Sequence, residues 1–130
     1  MIVAQADKQA EFLNYLEYEE IPRSRIIRLT DDFKVYSAVI GRTITVPNGF
    51  TCDGESVFFK SSTEAGVVHD YLYRKDSDPI VSRKIADEIF YEMSLLDDCW
   101  MVVCLAKWLV VRTVAGRFYH KLKVADIPEN

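Results

Sequence analysis

The chain has 130 residues, a formal net charge of −4, 49% hydrophobic residues and 28% charged residues. That length implies one domain with one ordinary core, and that balance excludes an intrinsically disordered chain. The acidic total argues against nucleic acid as a partner, since phosphate binding needs a basic face. Cationic residues gather only locally, as Arg112, Arg117, Lys121 and Lys123 near the C-terminus.

The first residues lack a charged start followed by an apolar stretch, so no signal peptide is expected. The longest apolar run, 99–106 continued past Lys107 to 111, is shorter and more interrupted than the ~20 residues a membrane-spanning helix needs, so no transmembrane segment is expected. Cys52, Cys99 and Cys104 are odd in number and lack paired spacing, and they read as reduced thiols.

In chain order, residues 1–24 form an N-terminal extension. Within it Phe12, Leu13, Tyr15 and Leu16 lie among acids, which predicts a short helix ending before Pro22. Glu11, Glu17, Glu19 and Glu20 read as a solvated face, or as a surface that docks to another subunit. Strand signals follow at 25–29, 33–40 and 43–46, separated by Thr30-Asp31-Asp32 and Gly41-Arg42. Together with a glycine loop they make an antiparallel β-meander over 25–56, ended by Pro47-Asn48-Gly49. The loop 50–56 is either a plain turn or a segment that aims backbone groups at a ligand.

The part from 63 to 120 is helical. Ser61, Ser62 or Thr63 caps a first helix with Glu64 in its first turn, and Val67, Val68, Tyr71 and Leu72 carry it to about Lys75. Ser82 caps a second, with the stripe Ile85, Ala86, Ile89, Phe90, Met93 and Leu96. The third runs from about Cys99 to Tyr119 and is apolar on most sides through Val111, which predicts burial. Its Trp100, Trp108, Phe118 and Tyr119 read as core and edge aromatics, or as a membrane-interface or partner-binding face. Strands followed by three helices make an α+β domain.

Candidate chemistry centres on His69. The only other histidine is His120, read as a surface residue, so one chain cannot build a multi-histidine zinc site. Cys99 and Cys104, five apart on a helix, face different ways and make a poor thiolate site. His69 is then the simplest general base near neutral pH. On a helix His69 and Tyr73 share a face, and Asp70 points about 100° away. Asp87 lies at the edge of the second helix's apolar stripe and should face the first helix, where a carboxylate must be partnered. His69 and Tyr73 are its natural partners, and an Asp–His pair fixes the tautomer that leaves the other ring nitrogen as a base. Asp70, left open, suits a hard cation bound through oxygen, helped by the glycine loop with its Asp53. The alternative is a purely structural network in which His69, Tyr73 and Asp87 satisfy one another.

Three segments carry a family resemblance: 46–56 (VPNGFTCDGES), 68–74 (VHDYLYR) and 82–90 (SRKIADEIF). They are similar, in this order, to the V-P-x-G-F-x-T-D-G-A-S, H-D-Y-L-Y and S-R-x-x-A-D-x-x-F motifs of a family of phage and prophage proteins, domain of unknown function 1353. The likeness extends over roughly 25–120. Cys52 stands where that family usually has threonine, Glu55 where it has alanine, and Phe58-Phe59 where it has Pro-Arg.

The helix pair also resembles that of bacterial and fungal phospholipase A(2), which reads H-D-x-x-Y-R followed by I-D-x-x-F-x-x-D-M. This likeness covers about 25 residues and leaves the calcium loop unmatched. It implies that His69 activates water, Asp70 holds calcium and Asp87 orients the histidine. The first resulting expectation is a phage-encoded calcium-dependent hydrolase acting on a lipid or small ester. The second is a non-enzymatic phage structural or host-interaction protein with a phage or host protein partner. Either would place the protein in the host cytoplasm or the virion.

Overall fold

The computed structural model describes residues 8–53, 63–97 and 101–128. Among these, the strands are β1 (Glu11–Phe12), β2 (Tyr18–Glu20), β3 (Ile27–Leu29), β4 (Phe33–Ser37), β5 (Arg42–Val46) and β6 (Thr51–Cys52). The helices are α1 (Thr63–Tyr73), α2 (Arg83–Leu96) and α3 (Met101–Val114), the last running into a 3-10 turn over Ala115–Phe118. The chain is an α+β domain with antiparallel strands before three helices, as the element pattern implies.

The strands divide into two three-stranded antiparallel sheets, β1-β4-β5 and β2-β3-β6. β4 and β5 form a hairpin with register Phe33↔Val46 to Ser37↔Arg42. Gly41 closes its turn at φ 66, a left-handed angle that costs glycine little. Phe33, Val35 and Ser37 point inward while Lys34 stays in solvent, the two-residue period of a half-buried strand. Their inner faces, with Ile27, Leu29, Ile44 and Val46, meet Val67, Val68 and Leu72 of α1 and Ile89, Phe90 and Met93 of α2 in one core. α1 is buried on nearly every side, which its apolar composition permits. α2 is amphipathic and starts where Ser82 accepts a hydrogen bond from the Ile85 amide at 3.2 Å.

Three expectations are corrected. Residues 7–20 hold no helix among the described residues: β1 pairs Phe12 with Val35, and β2 pairs Glu19 with Arg28. A short helix is marginal without packing, whereas the open edges of β4 and β3 offer backbone partners at once. Asn14 reinforces the choice, donating to Asp32 O at 2.8 Å and accepting from the Lys34 amide at 2.8 Å. Within the extension, Glu11–Phe12 and Tyr18–Glu20 are therefore edge strands of the two sheets. Next, Thr51 and Cys52 are not loop but a buried strand on β3. Finally, α3 is not buried all round. Cys104, Lys107 and Val111 face inward, whereas Val102, Val103, Leu105 and Leu109 are 76%, 46%, 48% and 56% exposed. Apolar composition records what a helix can bury, not how many neighbours it has. Cys99 and Trp100 lie outside the described residues.

α2 is tied to the sheet by Glu92. Its carboxylate accepts from Ser37 Oγ at 2.7 Å and from the amides of Ala38 and Val39 at 2.8 and 3.2 Å. Hydrogen bonds to a charged acceptor contribute roughly 1.5–3 kcal/mol each at most, and less where solvent competes. Glu92→Ala is expected to lower unfolding stability by about 2 kcal/mol in urea titrations; an unchanged midpoint would contradict this anchoring role.

Candidate active site

One face of α1 presents His69 and Tyr73, four residues apart, and α2 brings Asp87 against them. Asp87 Oδ1 lies 2.8 Å from His69 Nε2 and accepts the Tyr73 hydroxyl at 2.6 Å. Its Oδ2 accepts from Arg112 Nη1 of α3 at 3.0 Å, with Arg83 Nε 3.9 Å away. Asp87 is 0% exposed and His69 4%. The imidazole is held between the rings of Tyr73 and Phe90, with centroids 4.2 and 5.0 Å away. The sequence thus yields the expected trio because a carboxylate at the edge of an apolar stripe is buried only where donors meet it.

Burial, the largest influence, pushes the Asp87 carboxyl up. The hydrogen bonds from His69, Tyr73 and Arg112 outweigh it, and the group is held below the usual carboxylate range. An ionised carboxylate only accepts, so the His69 nitrogen facing it, Nε2, carries a proton. In the neutral ring Nδ1 then presents a lone pair. The Tyr73 phenol is driven well above its ordinary value by burial and then by Asp87, so it stays protonated and donates to Asp87 while accepting from Arg83 Nε at 3.4 Å.

A second acid lies beside this trio. Asp70 is half-buried and has no hydrogen bond among the described residues. Desolvation pushes its carboxyl up to about 6, opposed by His69 and Arg74 and reinforced by Asp53. Asp53 Oδ1 is buried and unpartnered among the described residues. Arg74 closes the neighbourhood, donating to Thr51 O at 3.0 Å, Lys123 O at 2.9 Å and Asp126 O at 3.1 Å. The Cys52 thiol is pushed up by burial and then by Asp70, so at neutral pH it is a packed thiol and no nucleophile.

His69, Tyr73 and Asp87 are in direct contact, and Asp53 and Asp70 sense each other's charge. Among the described residues no group of three His, Cys, Asp or Glu side chains is arranged to hold a metal ion. The rest of the glycine loop, 54–56, lies outside the described residues. Two site residues were not anticipated. Arg83 stands four residues before Asp87, a helical spacing that signals a pair. Arg112 lies in the local basic cluster near the C-terminus, and nothing in its neighbourhood announces a partner 25 positions away. His120 is also corrected: it is half-buried, stacks on Tyr119 at 3.7 Å, and its amide donates to Tyr73 O at 2.7 Å. Trp108 lines a shallow apolar groove of about 470 Å³ with Val39, Tyr91, Leu95 and Leu105, away from His69.

The pH dependence of Asp70 follows from its sign. A carboxyl whose folded value lies above its unfolded one opposes folding once ionised, so stability falls as pH rises from about 4 towards about 6. Asp70→Asn is expected to raise unfolding stability above that window by roughly 1–2 kcal/mol after allowing for partial exposure, seen as a higher melting temperature, and to leave it unchanged well below. Equal melting curves of both proteins across the window would contradict this.

Among the described residues no helix is long and apolar enough to cross a membrane. No curated protein and no solved structure matches the chain. The sequence profile of a family described as "Protein of unknown function (DUF1353)" matches residues 27–111, from β3 into the last turn of α3, and so takes in His69, Asp70, Tyr73 and Asp87 but stops one residue short of Arg112. Since that match spans well over half of the chain, the protein belongs to the DUF1353 family.

Proposed function

We propose that this protein is a phage-encoded hydrolase of the phospholipase type, with His69 as general base. The observation that carries this reading is the 2.8 Å contact between Asp87 and His69 Nε2, which leaves Nδ1 as the nitrogen able to take a proton. In the step this supports, Nδ1 takes a proton from water as its oxygen attacks the carbonyl carbon of an ester, the C=O π pair moving to oxygen. The tetrahedral intermediate then breaks the C–O bond to the alcohol, which leaves with the proton returned by the imidazolium. The ionised Asp87 steadies the imidazolium, and Tyr73 holds Asp87 in register. The phage origin rests on the likeness of the three motifs to phage and prophage proteins.

Calcium is the cofactor this reading calls for. Asp70, half-buried, and Asp53, with a buried oxygen that has no partner among the described residues, suit a hard cation. Calcium bound there would polarise the carbonyl of a lipid or small ester. The loss of like-charge repulsion between the two acids would add to its binding.

A second reading has its own support. Asp87 is fully buried and His69 nearly so, as in a network whose work is to lock helices. On that reading the protein is a phage structural or host-interaction component.

The two readings part on one variant. His69→Ala in the hydrolase is expected to fold, to lose about 1–3 kcal/mol, and to lose at least about a hundredfold in hydrolysis of short-chain esters or phospholipid vesicles in calcium. Equal rates for both proteins, or no turnover by the wild type, would end the hydrolase reading. Millimolar calcium is expected to raise the melting temperature of the wild type but not of Asp70→Asn; no shift in the wild type would remove the metal.

A further inference from the structure

A third helix, α3, reaches the helix pair at Asp87. We infer that Arg112 of α3 is a positioning residue of the dyad, fixing Asp87 so that His69 presents Nδ1. The inference rests on the hydrolase reading for its purpose and on the geometry for its content.

The two oxygens of Asp87 divide their donors. Oδ1 receives His69 Nε2 and the Tyr73 hydroxyl, both from α1. Oδ2 faces Arg112 from α3 at 3.0 Å and Arg83 from α2 itself at 3.9 Å. A carboxylate held at one oxygen can still turn about its last torsion, which is soft. A donor on the other oxygen removes that freedom. Arg83 is badly placed to do so, because its Nε, 3.9 Å from Oδ2, donates to the Tyr73 hydroxyl at 3.4 Å and its Nη2 donates to the carbonyls of Val111 and Arg112. Those carbonyls belong to the last turn of α3.

The contacts therefore close a ring. Arg83, one turn before Asp87, grips the backbone of residue 112, and the side chain of that residue grips Asp87. Gly116 makes the ring possible: a Cβ there would come within 2.7 Å of Arg83 Cζ. The charged and titratable groups facing Asp87 are thus His69 and Tyr73 from α1, Arg83 from α2 and Arg112 from α3.

The test is the protonation pattern of His69, read by nitrogen-15 chemical shifts of histidine-labelled protein. The wild type is expected to show a single tautomer with the proton on Nε2. Arg112→Gln is expected to show a mixture of the two tautomers, with Lys121→Gln at an exposed site showing the wild-type pattern. A single Nε2–H tautomer in Arg112→Gln would overturn the inference. If the glutamine variant does not fold, Arg112→Lys is read in its place, because an ammonium keeps the charge without the planar fork. Partial loss is then expected, and an unchanged wild-type pattern would overturn the inference. The readout does not depend on turnover, so an inactive wild type would end the hydrolase reading while leaving this one to stand or fall on the spectra.

Discussion

A single buried carboxylate organises the helical half of this protein. Asp87 has no exposed surface, and an isolated charge at such a depth is costly. The fold meets that cost with donors from three directions: an imidazole and a phenol from α1, and guanidinium groups from α2 and α3. α1 and α3 must both reach α2 at this point, so the carboxylate ties the three helices together. A buried ion pair is weak support for net stability, but removing one member leaves the rest uncompensated. The helix packing and the orientation of His69 thus have one physical origin.

The same constraint separates the two acids that flank the imidazole. Asp87 is saturated with donors and stays ionised well into acid. Asp70, one residue from His69, has no hydrogen bond among the described residues and is pushed the other way by desolvation. On the proposed hydrolase reading, these contrasting environments give the two carboxyls different roles, Asp87 orienting the imidazole and Asp70 meeting a cation. Arg74 sets the boundary of this second environment by pinning α1 to the segment 123–126 and to β6.

The sequence made the dyad legible for physical reasons. The spacing of His69 and Tyr73 places them on one helical face, and Asp87 interrupts an apolar stripe where only a partnered acid is tolerated. Ser82 announced the start of α2 by its capping chemistry. Arg112 was illegible because its contact spans 25 positions and depends on where α3 lands. The outer face of α3 was misread since apolar composition does not say which faces find cover, and Val102 stays 76% exposed. The segment 8–20 was misread because helical spacing in a short acidic stretch lost to the free edges of β3 and β4. Thr51–Cys52 carried a strand too short for periodicity to declare.

The central claim is that Asp87 and His69 act on each other directly, and a double-mutant cycle measures that most directly. Unfolding free energies of the wild type, His69→Ala, Asp87→Asn and the double variant give the coupling between the two positions. The geometry predicts a favourable coupling of about 1–3 kcal/mol, the range for a buried hydrogen bond to a charged group. A coupling indistinguishable from zero would contradict the account, since the two side chains would then be neighbours without being partners.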